Sequence, residues 1–415
     1  MIARGRVLAV QPGSIEASLP AASIGQGVRV ERSGDAGVAG VITAVGRDRV
    51  VVAPLGHVRG VKAGGYAHLD PRALTRPLGL RLLGRAMDAA GLAIDGGPNI
   101  SGLLRPIEAA TPIAERLAIT EPFWTGVRAL DALLTTGRGA RVGLFGAPGC
   151  GKSSLLQALA ENSEADVIVV GLIGERGREA EAWVHARTPR TTIVCATSDR
   201  APIERIHAAR VAMAQAVALR DRGLHVLLVL DSLARFGAAL REVSVAAGES
   251  VGRGGYAPSV FAELAKYVEI AGNVRRGSIT LFATVLSDGD ERDPLSDAAR
   301  SLLDGHITLS SAMAQAGKFP AVDVLASSSR TMRDVVTARH AGHANLVRGT
   351  LATLAKTEDA RSLGLGLSGE ALARQNAAQT AIEEFLRVPP AAATRARRTL
   401  AALAELAEHL EEPAS

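Results

Sequence analysis

A glycine-rich stretch at residues 146–153 has the residue types and spacing of a phosphate-binding loop. Its glycines let the backbone approach a phosphate closely, so that successive N–H groups can point at an anion. Lys152 is expected to reach the β- and γ-phosphates of a nucleotide, and the Ser153 hydroxyl is expected to ligate Mg²⁺. The candidate nucleotide-binding residues are Gly146, Ala147, Pro148, Gly149, Cys150, Gly151, Lys152, Ser153 and Ser154.

The segments on either side of this loop fit that function. Residues 142–145 form an apolar run that predicts a buried strand, and residues 154–160 predict a helix. A phosphate-binding loop needs this order, because the N-terminus of the helix adds partial positive charge beside the phosphates. The stretch therefore predicts a nucleoside triphosphate site rather than a glycine-rich turn that matches by chance.

Two acidic residues follow apolar runs that predict strands. Asp231 ends the run at 226–230, where a nucleoside triphosphatase holds Mg²⁺, although a carboxylate there can also cap a helix. Glu175 follows the run at 167–173 and could activate the attacking water; the alternative is a solvated charge cluster with its arginine neighbours. Arg330 also has two open interpretations, because it could cap a neighbouring element or act as an arginine finger on an adjacent subunit.

Composition is typical of a soluble globular protein and argues against several other classes. Hydrophobic residues make up 47% and charged residues 21%, and no apolar run approaches the roughly 18 residues that cross a bilayer. Aromatic residues make up only 3% and the net charge is +5, which disfavours a base-stacking nucleic-acid surface. Two cysteines, Cys150 and Cys195, exclude a disulfide framework and suit a reducing compartment. We therefore expect a cytoplasmic protein, in which Cys150 is a small side chain that fills the loop.

The patterns along the 415 residues predict three domains. Short β-type runs separated by glycine at 1–74 predict a small β-barrel with a structural or oligomerising role. Residues 75–345 predict an α/β domain with a mainly parallel sheet, which begins with a linker and irregular loops at 74–119. Residues 346–415 lack strand signals and predict a helical domain. The helices predicted there span residues 371–386 and 394–410.

Motifs in order along nearly the whole chain support a family assignment. Besides the phosphate loop they are LGRAMD (83–88), EP (121–122), TGVRALD (125–131), GRG (137–139), GERGRE (174–179), ATSDR (196–200), LDSLARF (230–236), GYAPSVF (255–261), LDGHI (303–307) and DVLAS (323–327). Together they resemble the protein-export ATPases of type III secretion systems, a family shared by injectisomes and flagella. That family is similar to the catalytic subunit of rotary ATP synthases, which implies a RecA-like core.

The resemblance implies hydrolysis of ATP with Mg²⁺ and assigns roles to single residues. Glu175 falls on the family's catalytic glutamate, and Arg176 falls on an arginine near the γ-phosphate. Arg330 falls on the arginine finger that reaches the neighbouring subunit's site. The implied catalytic residues are Lys152, Glu175, Arg176 and Arg330, and the implied magnesium ligands are Ser153 and Asp231.

The resemblance also implies an assembly and its partners. The family acts as a homohexameric ring in the cytoplasm, peripheral to the inner face of the cytoplasmic membrane at the export gate. There it would release export substrates from chaperones, unfold them and drive their entry, together with a stator-like protein and a central stalk. The loop at residues 248–258 would line the central pore; an ordinary surface loop is the alternative. No nucleic-acid partner is expected.

Two departures from the family's pattern change these expectations. Where the family has an adenine-pocket tyrosine after the finger, this chain places Gly366, so we expect loose base selectivity. The N-terminus begins almost directly at the first predicted strand, without most of the extension of flagellar members. Together with Ala147 and Pro148, this favours an injectisome member.

Three rival functions are weaker. A non-catalytic subunit of a rotary ATP synthase or proton pump is disfavoured by Lys152 and Glu175, and a synthase catalytic subunit is disfavoured by the short helical tail. A hexameric RNA translocase needs stacking aromatics in its barrel, but residues 1–74 contain only Tyr66. A degenerate scaffold is disfavoured because every catalytic position is present.

Overall fold

The computed structural model describes residues 4–34, 37–107, 109, 111–286, 293–362, 369–387 and 395–411. The chain divides into two units. The first unit comprises Met1–Pro112 and Val167–Ile270, and the second comprises Ile113–Asp166 and Ala271–Ser415. The domain boundaries predicted at 74/75 and 345/346 stay predictions.

The N-terminal strands close into a barrel. They are β1 (Arg4–Gln11), β2 (Ser14–Ala17), β3 (Gly27–Val30), β4 (Val38–Val45), β5 (Val50–Pro54) and β6 (Tyr66–Leu69), in the order β1-β2-β5-β4-β3-β6. Ile15, Val28 and Val52 are fully buried, because alternate side chains of each strand point into the barrel. The predicted barrel is therefore confirmed. The pattern missed β6, whose only fully buried side chain is Ala67.

Residues 75–119 contain paired strands, so the prediction of a linker with irregular loops was wrong. The strands are β7 (Thr75–Leu78), β8 (Ala86–Asp88), β9 (Leu103–Pro106) and β10 (Arg116–Leu117). β7 pairs with β9. The Arg85 guanidinium, just before β8, lies 2.6 Å from the Asp95 carboxylate and holds the pKa of that carboxyl well below its usual range. Such short strands depend on distant partners and leave little local periodicity to detect.

The rest of the described chain alternates strands with helices and is helical after residue 329. Its elements as far as residue 270 are β11 (Pro122–Phe123), α1 (Arg128–Leu133), β12 (Thr136–Gly137), β13 (Arg141–Gly146), α2 (Lys152–Asn162), β14 (Val167–Ile173), α3 (Gly177–Ala186), β15 (Thr191–Ala196), α4 (Pro202–Arg220), β16 (His225–Asp231), α5 (Leu233–Ala246) and α6 (Pro258–Glu269). The later elements are β17 (Gly272–Val274), β18 (Gly277–Leu286), α7 (Pro294–Leu302), β19 (Gly305–Leu309), α8 (Ser311–Gln315), β20 (Val322–Ser329), α9 (Met332–Val335), α10 (Ala338–Ser362), α11 (Glu370–Leu386) and α12 (Ala396–Glu411).

Parallel strands of the first unit set the carboxyl ends of β14 and β16 side by side. β14 pairs in parallel with both β15 and β16, and β15 pairs with β8. Every residue of β14 and β16 is buried, which explains their almost continuous apolar sequence. Helix α4 packs on β14, β15 and β16. It begins at Pro202, and Glu204 accepts a hydrogen bond from the Ala201 N–H at 3.1 Å.

In the second unit, the strand that leads into the phosphate loop is flanked on both sides. β13 pairs in parallel with β18 and β19, whereas β20 pairs antiparallel with β19. The predicted mainly parallel arrangement is confirmed, with antiparallel exceptions at β17 and β20. The predicted helices at 371–386 and 394–410 correspond to α11 and α12, which pack together with α10. Helix α10 runs across the predicted boundary at 345/346.

Candidate active site

The phosphate loop has the predicted strand–loop–helix context, because β13 ends at Gly146 and α2 begins at Lys152. Gly149 and Gly151 have φ values of 82° and 93°, in the left-handed region that favours glycine. A Cβ on Gly146 would lie 2.7 Å from the Cys150 sulfur. Larger residues at these positions would therefore strain or displace the loop.

Lys152 turns its ammonium group back onto the loop. It is 9% exposed, and Nζ donates to the carbonyl oxygens of Gly146 at 2.6 Å and Ala147 at 2.7 Å. The Cys150 sulfur is buried and lies 3.8 Å from Nζ, which fits a packing role. Because an ammonium group has three rotatable donors, Lys152 can exchange these carbonyls for phosphate oxygens. Ser153 follows it in the first turn of α2 and is partly buried.

Glu175 and Asp231 come together at the carboxyl ends of β14 and β16 in the first unit. Leu172 of β14 is the ladder partner of Asp231, and the two carboxyl residues are 8% and 6% exposed. Burial raises the pKa of Glu175 to about 7; the Asp231 carboxylate adds to the rise and Arg235 opposes it. A carboxyl group that titrates near neutrality can act as a general base at pH 7. The pair is therefore a candidate hydrolytic centre.

Arg235 belongs to this centre, although the sequence interpretation gave it no role. Its Nε donates to Oε1 of Glu175 at 2.9 Å across 60 residues of sequence. The Ser232 hydroxyl accepts the Arg235 N–H at 3.1 Å and caps α5. The alternative of a solvated cluster is wrong for Glu175, which is buried, whereas Arg176 is exposed at the start of α3. The available signal was the position of Arg235 in the LDSLARF motif.

Arg330 directly follows β20 in the second unit. Its backbone is held in place, and its side chain is exposed. Its backbone N–H donates to the Asp304 carbonyl at 2.9 Å. Arg348 of α10 holds the strand by donating to the Val324 carbonyl at 2.9 Å. The Arg330 guanidinium makes one long contact with the Arg300 carbonyl, at 3.4 Å. This arrangement presents the guanidinium at the surface, and its role as a finger stays a prediction.

An exposed aromatic ring lies beside the phosphate loop. Phe319 is 44% exposed, and a Cβ placed on Gly151 would lie 3.6 Å from its ring. Next to it, Lys318 pairs with Glu383 of α11 at 2.7 Å, which holds the segment in place. The position expected for the family's adenine-pocket tyrosine holds Gly366, which lies outside the described residues. An aromatic before a proline in an aromatic-poor chain was the missed signal.

The predicted pore loop at residues 248–258 connects α5 to α6. Gly254 and Gly255 have φ values of 67° and 74°. The Arg241 guanidinium lies 5.1 Å from the centroid of the Tyr256 ring and donates to the Gly254 carbonyl at 3.3 Å. A side chain of α5 thus holds one end of the loop, whose position in a pore stays a prediction.

Known proteins share this combination of elements. The ATP synthase alpha/beta family, nucleotide-binding domain, matches residues 126–329. A flagellum-specific ATP synthase of Treponema pallidum is 42% identical over 394 residues, which cover 92% of this chain and 88% of the relative. A type 3 secretion system ATPase of Pseudomonas syringae pv. syringae is 39% identical over 426 residues, covering 98% and 94%. The chain belongs to the type III secretion and flagellar export ATPases.

Solved structures agree with this assignment of the ATPase. The assembled ATPase EscN from the type III secretion system of enteropathogenic E. coli matches with a TM-score of 0.89 at 34% identity, covering 97% of this chain and 100% of EscN. EscN in complex with its central stalk EscO matches with a TM-score of 0.87. The predicted family, fold class and activity of an export ATPase are confirmed.

Two points follow from the relatives and from the helices of this ATPase. Both secretion and flagellar proteins are among the relatives, so the preference for an injectisome member stays a prediction. In the described part of the chain, no helix is both long enough and apolar enough to cross a membrane.

Proposed function

We propose that this ATPase works as a homohexameric ring in which ATP hydrolysis drives protein export. The buried pair of Glu175 and Asp231 carries the proposal, because a base that titrates near pH 7 beside a second carboxylate suits water activation in an NTPase. Similarity to assembled EscN over 97% of this chain supports the ring. Each hydrolytic event would use Glu175 of one subunit and Arg330 of the next.

The phosphate loop and Lys152 would hold the β- and γ-phosphates of ATP, and Arg176 would lie near the γ-phosphate. Ser153 and Asp231 fit Mg²⁺, because hydroxyl and carboxylate oxygens are its preferred ligands. Asp231 lies close enough to Glu175 that its carboxylate raises the pKa of Glu175. When bound, Mg²⁺ would neutralise charge on the phosphate oxygens.

The partners would be those of an export apparatus at the inner face of the cytoplasmic membrane. The complex of EscN with its central stalk EscO supports a stalk as one partner of this ring. We propose a stator-like protein and chaperone–substrate complexes as the others. The loop at residues 248–258 would line the pore, where the positive φ values of Gly254 and Gly255 give it conformations open to few other residues.

Residues 1–74, which include the barrel, contain a single aromatic residue for base stacking, Tyr66. The Arg4 and Arg6 guanidinium groups lie over its ring, 3.6 and 4.0 Å from the centroid. Two side chains of the barrel therefore already contact this ring, which favours protein export over RNA translocation.

Gel filtration and ATPase assays of the purified chain test the proposal. With ATP and Mg²⁺, we expect a ring-sized species and hydrolysis that RNA does not stimulate. Lys152→Ala should lose nucleotide binding or turnover, because the loop loses its phosphate-binding ammonium. A chain that stays monomeric at every concentration, or strong stimulation by RNA, would contradict the proposed function.

A pH profile tests Glu175 as the base. A general base acts when deprotonated, so kcat/KM should rise with pH and reach half its maximum near pH 7, the pKa of buried Glu175. Arg235→Gln removes the cation that lowers this pKa, so the rise should move to higher pH. Arg210→Gln, which breaks the ion pair of Arg210 with Glu263, is the matched control and should leave its position unchanged. If Arg235→Gln left the pH of this rise unchanged, the group that titrates would not be Glu175.

Phe319 is proposed to stack on the adenine ring, because its exposed ring lies beside Gly151 of the loop. Base–aromatic stacking contributes about 1–3 kcal/mol, so Phe319→Ala should raise the Kd for ATP by about 5-fold to about 150-fold. Phe319→Tyr should keep the affinity of the original chain. The measurement is an equilibrium titration with ATP and with inorganic triphosphate. An equal loss of affinity for triphosphate, which has no base, would contradict stacking.

A further inference from the structure

A network of contacts in the second unit joins the end of the phosphate-loop strand to Arg330. Phe145 is the last residue before Gly146 and is buried. The Arg300 guanidinium lies over its ring, 4.6 Å from the centroid. The Arg300 carbonyl accepts a hydrogen bond from Nη2 of Arg330 at 3.4 Å. The side chain of Arg300 thus contacts the strand that leads into the phosphate loop, and the backbone carbonyl of Arg300 contacts Arg330.

His306 lies in the same network. Its ring meets the Phe145 ring edge-on, with centroids 6.3 Å apart and an interplanar angle of 89°. His306 is also the antiparallel ladder partner of Ser328 in β20, two residues before Arg330. Burial, and the positive charges of Arg300 and Arg330, lower the pKa of His306, so the ring stays neutral near both guanidinium groups.

The strand register explains how these side chains meet. Gly143 of β13 is the parallel partner of His306 of β19, and Phe145 projects from the same face of β13 as position 143. A Cβ on Gly143 would lie 2.5 Å from the Phe145 ring. The absence of a side chain at Gly143 therefore leaves room for the Phe145 ring to extend toward His306.

A second link connects the same two regions through the backbone. The Arg330 N–H donates to the Asp304 carbonyl at 2.9 Å. The Asp304 carboxylate in turn accepts the N–H of Arg141, the first residue of β13, at 2.9 Å. Two hydrogen bonds through Asp304 thereby connect the backbone of Arg330 to the strand that ends in the phosphate loop.

We propose that Arg300 and His306 are positioning residues through which a subunit's phosphate-loop strand sets the placement of the Arg330 that it presents to its neighbour. The proposal rests on the proposed role of Arg330 as a finger. Because β13 ends at the phosphate loop, a nucleotide bound there would shift the position of Phe145. Through Arg300 and His306, this shift would change the position of the Arg330 that the subunit presents to its neighbour's site. Placement matters because a shift of about 1 Å in a positioning group can cost about 10²-fold in rate.

Mixed rings separate finger placement from loop structure. Glu175→Gln subunits keep Arg330 and serve as finger donors, whereas Arg330→Ala subunits keep Glu175 and supply the sites. Arg300→Met is added either to the donor or to the site supplier, and the restored ATPase rate is measured. In the donor, we expect the restored rate to fall by about 10-fold or more. In the site supplier, which has no finger to place, the rate should stay within about 2-fold, as for other exposed substitutions.

Further variants test the path and the chemistry. Arg300→Lys in the donor keeps a cation over Phe145 and should retain more of the rate than Arg300→Met. His306→Ala and Phe145→Leu in the donor should each lower the rate without changing the KM for ATP at the assayed sites.

The outcomes are distinct. A loss confined to the site supplier, or equal in both subunits, would show that Arg300 only shapes the loop or the fold, and would overturn the proposal. No loss in either subunit would overturn it as well. If Glu175→Gln and Arg330→Ala subunits without a change at Arg300 restore no activity when mixed, the proposed shared site is contradicted. The inference about Arg300 and His306 is then contradicted too.

Discussion

Replacing Glu175 with glutamine is expected to remove ATP hydrolysis and to leave ATP binding intact. Glutamine keeps the shape of the buried side chain but cannot accept a proton from the attacking water. Loss of a general base typically lowers the rate by about 10²–10⁴-fold. A steady-state assay of phosphate release measures turnover, and equilibrium titration with ATP measures binding.

Glu181→Gln is the matched control for this experiment. Glu181 lies on α3 with an exposed side chain, so removal of its charge should change neither turnover nor binding. If Glu175→Gln retained turnover, another group would position the water. If it lost ATP binding instead, the role of Glu175 would lie in the ground-state complex.

Arg330→Ala is expected to lower turnover by about 10³-fold or more, the effect of removing an arginine finger. Its guanidinium is exposed while its backbone is held by Asp304, so truncation should not disturb the fold. The measurement is kcat at saturating ATP, with gel filtration to verify assembly. Arg333→Ala is the control, because Arg333 is 85% exposed and pairs only locally with Asp334 at 3.4 Å.

Mixing the two inactive variants distinguishes a finger in trans from a local role. Rings that contain Glu175→Gln and Arg330→Ala subunits should regain part of the activity, because some interfaces then combine an intact Glu175 with an intact Arg330. Activity that never exceeds that of the separate variants, in rings shown to be mixed, would count against a shared site.

Local patterns predicted much of the fold and part of the site. The run at 167–173 corresponds to β14, because a strand buried along its whole length must be apolar throughout. The loop could be placed because its spacing is local and its glycines meet conformational needs within a few residues. Predictions were wrong at 74–119 and missed β6, since these short strands form only against partners elsewhere in the chain.

The sequence by itself determined the phosphate loop between β13 and α2, and its motifs determined the export ATPase family. Tertiary structure decided which groups act on one another. It buried Glu175 beside Asp231, paired it with Arg235 and raised its pKa to about 7. It also placed Phe319 beside the loop. The physical reason is that charge interactions and desolvation depend on distances between residues far apart in the chain, which spacing along the sequence does not encode.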